Sequence, residues 1–504
     1  MSFPHRKRPS LITSAHIVLL VIGTAVFTLF AFNKNIWFDE AYTIGLVRHG
    51  VADIFKLHIY DVHPFLYYFL LKIFTFVFGS SLLSMRLFSV IGAVMLSLLG
   101  LTHIRRDFGE KVGFWFSFFS VFCASTLYYA GQIRMYSWAT FFVALAGIYA
   151  YRLGKNDGIK NSALFVLFSV CAAYTHYFAL FAVAAVNIVL LVHKIRQKQL
   201  FRWFATAASQ IILYIPGALI FLKQATAGGA SWIKLSFPEN VFDTLAYPFL
   251  GEKLIDILGK GSVAYYAVGS ALVAVFLAAV LLLFFRCHSL LCEKPFRFSA
   301  EIIFGVIAFS VLVSLFRPIY YERYTVVLYG FLFFLFARAV SEAKAWTRIA
   351  AAVLTVAVFA VQVHRISTKC FDETSGKVET LLENKLQRGD IVISSSIDIY
   401  CFSVFSENCD FYFYNKGEWN VENAYRAFGD NTVVIRDLNI PEITENAESV
   451  WVLNDKNVRD FLIANGFCEK ERVSERSSYR KEKYTLPHTA LRHQICLYPF
   501  IFTH

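Results

Sequence analysis

Directly after its first long apolar run the chain reads NKNIWFDEAYTIGLVRHG, which sets two carboxylates, Asp39 and Glu40, side by side. A carboxylate with an ordinary Asp pKa of about 4 is ionised at neutral pH and can take a proton from an attacking hydroxyl. Such a pair can also ligate a divalent cation. Other polar residues fall at the ends of later apolar runs. They are His63, Arg86, then Gln132, Arg134 and Tyr136 in YYAGQIRMYSW, His176 in YTHYF, and Arg317, Tyr320, Tyr321, Glu322, Arg323 and Tyr324 in RPIYYERY. Arginine suits an anion such as phosphate, because its planar fork engages two oxygens at once. These residue types combine proton transfer with anion binding.

The elements that must position them are membrane helices. The chain has 504 residues, 57% hydrophobic and 17% charged, with 53 Phe, and its mean hydropathy is +0.53. Charged residues normally make up about a quarter of a soluble protein, and the apolar residues here come in long runs. This pattern defines an α-helical polytopic membrane protein. About eleven spans are expected, over 11–32, 82–103, 112–131, 134–153, 161–175, 177–193, 203–222, 263–285, 300–316, 324–341 and 346–364. The net charge of +12 is spread over the short loops, where Lys and Arg orient spans towards the cytoplasm, so nucleic acid is not the partner. The basic start PHRKRPS and the length of the first run predict an uncleaved first span. Nine cysteines form no C-x-x-C pair, which argues against zinc and dithiol chemistry.

Basic clusters at His5–Arg8, Arg105/Arg106/Lys111, Lys155/Lys160, 194–202, Arg286/Lys294/Arg297 and Lys344/Arg348 agree with this count. The run HPFLYYFLLKIFTFVFG, His63 to Gly79, is the exception. It carries Lys72 in mid-run and opens on a Pro suited to a helix start, so it is expected to lie in the outer interface. Residues 33–81 then form one large outer loop of juxtamembrane helices. Eleven spans leave the C-terminal part outside the cytoplasm, and two domains follow: 1–365 in the membrane and an extracytoplasmic domain over 366–504. In the latter, ETSGKVETLLENKLQRGD reads as helical. DIVISSS, DFYFY, TVVIRDL, SVWVLN and QICLYPF read as strands, and NVRDFLIANG as a helix with Asn454 or Asp455 near its cap. A small α/β domain is predicted. An oxidising compartment would permit a bridge among Cys401, Cys409, Cys468 and Cys496.

The polar residues collect at the outer span ends, where ionisable groups default to a functional reading. Structural readings compete. Asp39 fits the cap of a helix EAYTIGLVR, with Glu40 favoured by the helix dipole. Tyr128, Tyr129 and Trp138 fit an interfacial aromatic belt. His176 fits a hydrogen-bonded helix end, and Arg86, four residues into a span, fits a side chain that snorkels. Arg317 and Arg323 are harder to explain this way, since the positive-inside tendency disfavours Arg outside. An anion beside them is expected.

The order basic start, span, WFDEAYT, HPFLYYFLLKIFTFVFG, SMRLFSVIGA, QIRMYSW, YTHYF and YYERY resembles the GT-C glycosyltransferases. Within them it is similar to glycosyltransferase family 39 and its Rgt-like branch, a group that includes protein O-mannosyltransferases and the aminoarabinose transferase of lipid A. The resemblance covers roughly residues 10–365. It implies a GT-C fold and transfer of a sugar from a polyprenyl-phosphate donor to a lipid, glycan or protein acceptor, with inversion, on the outer face of a bacterial cytoplasmic membrane. Asp39 matches the acidic position taken as the catalytic base, and Glu40 its companion. His63-Pro64 matches the pair near the carrier phosphate, although HPF stands here for the commoner HPP. Arg323-Tyr324 matches the Arg-Tyr that opens a late span. Gln132 stands where many relatives have an acid, which weakens the case for a second carboxylate. Arg86, Arg134, Tyr136, His176, Arg317 and Tyr321 complete the expected binding set. No cofactor is fixed, and a divalent metal at Asp39 and Glu40 is left open.

Two other classes fit a polytopic chain. A transporter or lipid flippase is expected to show repeated halves and ionisable groups near mid-bilayer; here no halves repeat and the polar residues gather at one face. A non-catalytic scaffold would use the C-terminal domain to hold a partner.

Overall fold

The computed structural model describes residues 10–33, 35–226, 233–285, 288–371, 386, 388–396, 399–404, 409–415, 425–438, 450–453, 455–465, 468–469, 473–475 and 495–501. The chain divides into two units. One comprises Met1–Phe32, Leu83–Leu222 and Ala230–Ile366, the other Asn33–Leu82, Lys223–Gly229 and Ser367–His504. The second unit thus joins the segment after the first apolar helix to the C-terminal segment.

The first unit is a helical bundle. Among the described residues eight helices are long and apolar enough to cross a membrane: Leu11–Phe30 (α1), Leu82–Phe108, Tyr177–Gln197, Leu200–Ala225, Val263–Leu282, Lys294–Ser314, Glu322–Glu342 and Ala345–Cys370. A ninth is formed if Glu110–Val121 and Ala124–Ala130 count as one span, although they meet at 62°. By length and composition alone, eight or nine described helices qualify where about eleven spans are expected. The bend has a local cause: Cys123 Sγ donates to the Pro248 carbonyl at 3.1 Å and Ser125 Oγ to that of Tyr247 at 2.6 Å, so helix Glu239–Leu250 holds the break. The expected span at 161–175 is the helix Ile159–Ala173. Its 15 residues rise about 22 Å, short of a hydrocarbon core of about 30 Å. The expected span at 134–153 is the helix Tyr136–Lys155, buried along nearly its whole length. Ion pairs join the basic loops to neighbouring acids: Arg152–Asp107 at 2.6 Å, Lys194–Asp157 at 2.8 Å and Arg338–Glu293 at 2.7 Å.

In the second unit the segment after α1 forms three helices, Phe38–Arg48 (α2), Val51–Leu57 (α3) and Leu66–Phe78 (α4). The 13 residues of α4 span about 20 Å, too few to cross. It ends at Gly79, whose φ of +83° suits a residue without Cβ. Phe76, Val77 and Phe78 are exposed along its last turn.

The C-terminal segment forms a sheet in the order β3-β2-β1-β4-β7-β5, with β6 paired to β7. Its strands are β1 Ile391–Ser394, β2 Asp410–Tyr414, β3 Thr432–Ile435, β4 Val450–Leu453, β5 Cys468–Glu469, β6 Val473–Glu475 and β7 Ile495–Ile501. β1 to β4 are mutually parallel and β7 runs antiparallel to β4, with Val450 opposite Phe500. The five strands expected from sequence are present, and β5 and β6 are additional. Asp455 caps helix Lys456–Ala464 by accepting from the Asn457 and Val458 amides. Val458 and Leu462 of that helix cover Ile391, Ile393, Val450 and Val452 on one face of the sheet. Since side chains alternate along a strand, Phe411 and Phe413 turn to the other face. The helical stretch expected around 372–385 lies outside the described residues. Cys468 is an exposed free thiol.

Candidate active site

Helix α2 carries the acid pair in its first turn, at the positive end of the helix dipole. The cap position is Trp37, with no side-chain cap hydrogen bond. Asp39 is therefore inside the helix and is not its cap, contrary to the structural reading weighed against its role as a base. Asp39 is half-buried and Glu40 is only 1% exposed. Successive helical residues point about 100° apart, so the two carboxylates diverge. Buried rings line this part of the unit: Tyr42, Tyr67 and Tyr68, with Tyr42 and Tyr68 centred 6.3 Å apart. His63 is buried in the turn before α4. Gln224, a residue the sequence reading missed, pins that turn by donating to the carbonyls of His58 at 2.7 Å and His63 at 3.3 Å. Tyr68 donates to Asp61 at 2.5 Å in the same turn.

The expected cations and tyrosines of the first unit form a second cluster. Ring centroids run Tyr129–Tyr136 at 4.3 Å, Tyr136–His176 at 5.5 Å, His176–Tyr324 at 5.1 Å and Tyr324–Tyr321 at 5.6 Å. Arg323 Cζ lies 4.7 Å from the centroid of the Tyr321 ring. His176 Nδ1 accepts from the Phe178 amide, which makes it the cap of helix Tyr177–Gln197 as its structural reading anticipated. Burial, and then the nearby charges of Arg134 and Arg323, lower its pKa to about 3, so this imidazole is neutral at physiological pH.

Three expectations change. Arg86 does not snorkel: it is fully buried and donates to the Gly131 carbonyl, holding the turn that leads to Arg134. Arg317 is exposed just beyond helix Lys294–Ser314. Tyr129, read as a belt residue, is buried and hydrogen-bonded to Tyr247.

Sequence reasoning also missed Lys253, Asn240 and Asp243. Lys253 Nζ sits 4.0 Å from the Tyr321 ring centroid and 3.1 Å from the buried carboxylate of Glu322. Asn240 Nδ2 donates to the other oxygen of Glu322. Burial, then the Glu322 charge, raise the pKa of Asp243 to about 7, against the Ile255 amide and the Lys253 ammonium. A signal for Lys253 existed in the sequence: like Arg323, it is a lone cation between apolar segments, apart from the basic clusters. The two cations over Tyr321 suit an anion with several oxygens, such as phosphate. Among the described residues no three of His, Cys, Asp and Glu converge as metal ligands.

No protein-family model and no curated protein matches this sequence. Solved structures do. ArnT from Cupriavidus metallidurans in the apo state superposes with a TM-score of 0.59 at 10% identity, over 97% of this chain and 98% of that one. ArnT from the same organism bound to undecaprenyl phosphate gives 0.62 at 9% identity, over 96% and 98%. The fold is therefore of the GT-C type, in a multi-pass membrane protein with an α/β unit at its C-terminus.

Proposed function

We propose that this chain is a membrane glycosyltransferase that moves a sugar from a polyprenyl-phosphate donor to a lipid, glycan or protein acceptor on the outer face of a bacterial cytoplasmic membrane. In the reaction the acceptor oxygen attacks the anomeric carbon from the side opposite the phosphate, so the configuration inverts. The new bond forms as the bond between the anomeric carbon and the phosphate oxygen breaks. The Asp39 carboxylate takes the acceptor proton late in the step. The donor phosphodiester carries one negative charge and the departing polyprenyl phosphate carries two. Fixed cations offset that growing charge, and Arg323 and Lys253 are assigned this task. Glu40, His63, Arg134, Tyr136, His176, Tyr321 and Tyr324 are assigned to substrate binding, with Arg86 holding the turn before Arg134. The exposed Arg317 is assigned to the rim, where it meets the acceptor.

One observation carries the reading. Trp37 occupies the cap, so Asp39 is not the capping residue, and it lies half-buried in the first turn of a largely buried helix. A half-buried carboxylate in that turn of a chain with the GT-C fold supports its reading as the base. The undecaprenyl phosphate in the ArnT complex supports the choice of donor.

The test has two arms. Mass spectrometry of membrane lipids, glycans and envelope proteins compares cells making the parental chain with cells making Asp39→Asn; one acceptor should lose a sugar mass in the variant. Purified protein is then given that acceptor and a panel of undecaprenyl-phosphate-linked hexoses and pentoses. Identical acceptor profiles in both strains, together with no transfer from any donor in the panel, would remove the proposal.

A further inference from the structure

The helix that carries the acids is built into the C-terminal sheet. On the sheet face opposite helix Lys456–Ala464, Phe413 meets the rings of Tyr400 and Tyr425, each at 5.2 Å. Tyr400 and Tyr425 stack in parallel at 4.5 Å, and Phe428 lies 4.5 Å from Tyr400. This aromatic layer is finished by residues from the other end of the sequence. Phe38 of α2 packs on Phe428 at 5.2 Å and on Tyr400 at 6.0 Å, and Tyr42 on Phe428 at 5.5 Å.

One turn further along α2, the backbones themselves meet. A Cβ at Gly45 would lie 2.5 Å from the Phe428 Cα and 2.6 Å from the Ala427 carbonyl oxygen, both main-chain atoms that cannot swing aside. Beyond that, Arg48 Nη1 donates to the Val404 carbonyl at 2.6 Å and His49 Nε2 to the Arg426 carbonyl at 3.0 Å. Phe38, Tyr42 and Gly45 follow the i, i+4, i+7 spacing of a single helix stripe, and His49 is the C-cap that follows it. At about 100° per residue, Glu40 points roughly opposite that stripe and Asp39 roughly a quarter-turn from it. A helix held along one stripe, with a backbone contact at its middle, can neither roll nor slide without breaking that contact. The direction of both carboxylates is fixed as a consequence.

We propose that the C-terminal α/β unit acts as the clamp of α2, with Phe428 and Gly45 as positioning residues for the acid pair. The proposal rests on the function argued above for the use of the acids, but the clamp is measurable without any substrate. A misplacement of about 1 Å at a reacting group costs on the order of 10²-fold in rate, so the clamp acts on turnover. Donor capture is left to the cations.

The test uses the full-length protein in lipid nanodiscs, comparing the parental chain with Gly45→Ala and Phe428→Leu. Amide exchange in α2 should accelerate about tenfold or more in both variants, while β1 and β2 exchange as in the parent. Turnover with the donor selected from the undecaprenyl-phosphate panel should fall by about 10- to 100-fold, with donor KM held within about twofold. Phe428→Tyr, which keeps the ring, should restore both readings. The clamp is refuted if α2 exchanges at the parental rate in both variants, or if it exchanges faster while turnover is unchanged. Should Gly45→Ala also melt β1 and β2, Phe428→Leu decides alone, because it removes a ring contact without adding an atom against the main chain. Asp39→Asn separates the two ideas: parental transfer by that variant removes the proposed base, yet leaves the exchange prediction for α2 standing.

Discussion

Lys253 holds its ammonium 4.0 Å from the centre of the Tyr321 ring, and the guanidinium carbon of Arg323 lies 4.7 Å from the same centre. A tyrosine that gathers two cations from segments about seventy residues apart in the chain is an electrostatic junction. Its alignment is kept by Glu322, whose buried carboxylate engages Lys253 and Asn240. Removing Arg323 should then weaken anion binding without unfolding the bundle. A charge-assisted hydrogen bond contributes about 1.5–3 kcal/mol, so Arg323→Gln should lower the affinity for undecaprenyl phosphate by about 10- to 100-fold. Arg323→Lys should recover only part of it, since a point charge does not replace the planar fork. Binding of the lipid to nanodisc-embedded protein checks this, and parental affinity in Arg323→Gln would assign the phosphate to other residues.

Asp243 makes stability depend on pH. Burial first, and the Glu322 charge second, bring its pKa to about 7, whereas an unfolded Asp titrates near 4. The folded protein therefore holds a proton that the unfolded chain has already lost. The corresponding stability is complete below about pH 4 and is lost as pH rises through about 7, at up to roughly 1.4 kcal/mol per pH unit. Asp243→Asn stays neutral and still accepts from the Ile255 amide. Thermal unfolding at about pH 5 and pH 8 should show a clear drop in midpoint for the parent and a smaller one for the variant. Equal drops would mean that Asp243 does not hold the proton.

Membrane topology provides a prediction of parity. With the N-terminus inside, eight spans return the chain to the cytoplasm, whereas nine or eleven leave Ser367–His504 outside. Eight helices qualify by length and composition, and the bent pair makes nine. The basic loops favour the odd count. A reporter active only in the cytoplasm, fused at His504, should be silent, and one fused after Gly79 should be silent as well because α4 does not cross. Activity at His504 would put the C-terminal unit on the cytoplasmic side.

What could be read from the residues was the local chemistry. The strand runs DIVISSS, DFYFY, TVVIRDL, SVWVLN and QICLYPF and the capping Asp455 carry their own signals, and the structure forms each of them. Strands of two or three residues, such as β5 and β6, have no periodicity to detect. The break near Phe122 was hidden because apolar residues run on across it, and the groups that hold it, Tyr247 and Pro248, lie more than a hundred positions away. Tyr129 looked like a belt residue for the same reason: its partner Tyr247 is just as distant. Gly45 did leave a trace. A glycine inside a helix costs about 1 kcal/mol relative to alanine and so hints at a close approach, but nothing in the sequence names Phe428 as the neighbour. Legible residues were those whose role is set within one turn or one strand. Illegible ones acquire their role from a remote segment.

The most direct measurement is sugar transfer by Asp39→Asn and Glu40→Gln, each purified in full length beside the parent and each checked for parental thermal stability. Asp39 is not the cap residue of α2, and Asn keeps its size, so the exchange should change folding by little more than a dipole contribution of about 0.3–1 kcal/mol. If it is the base, Asp39→Asn should lose about 10²–10⁴-fold in turnover with donor KM little changed. Glu40→Gln, turned about 100° away along α2, should lose less. Transfer by well-folded Asp39→Asn at the parental rate would contradict the account, because the proposed reaction would then have no group to take the acceptor proton.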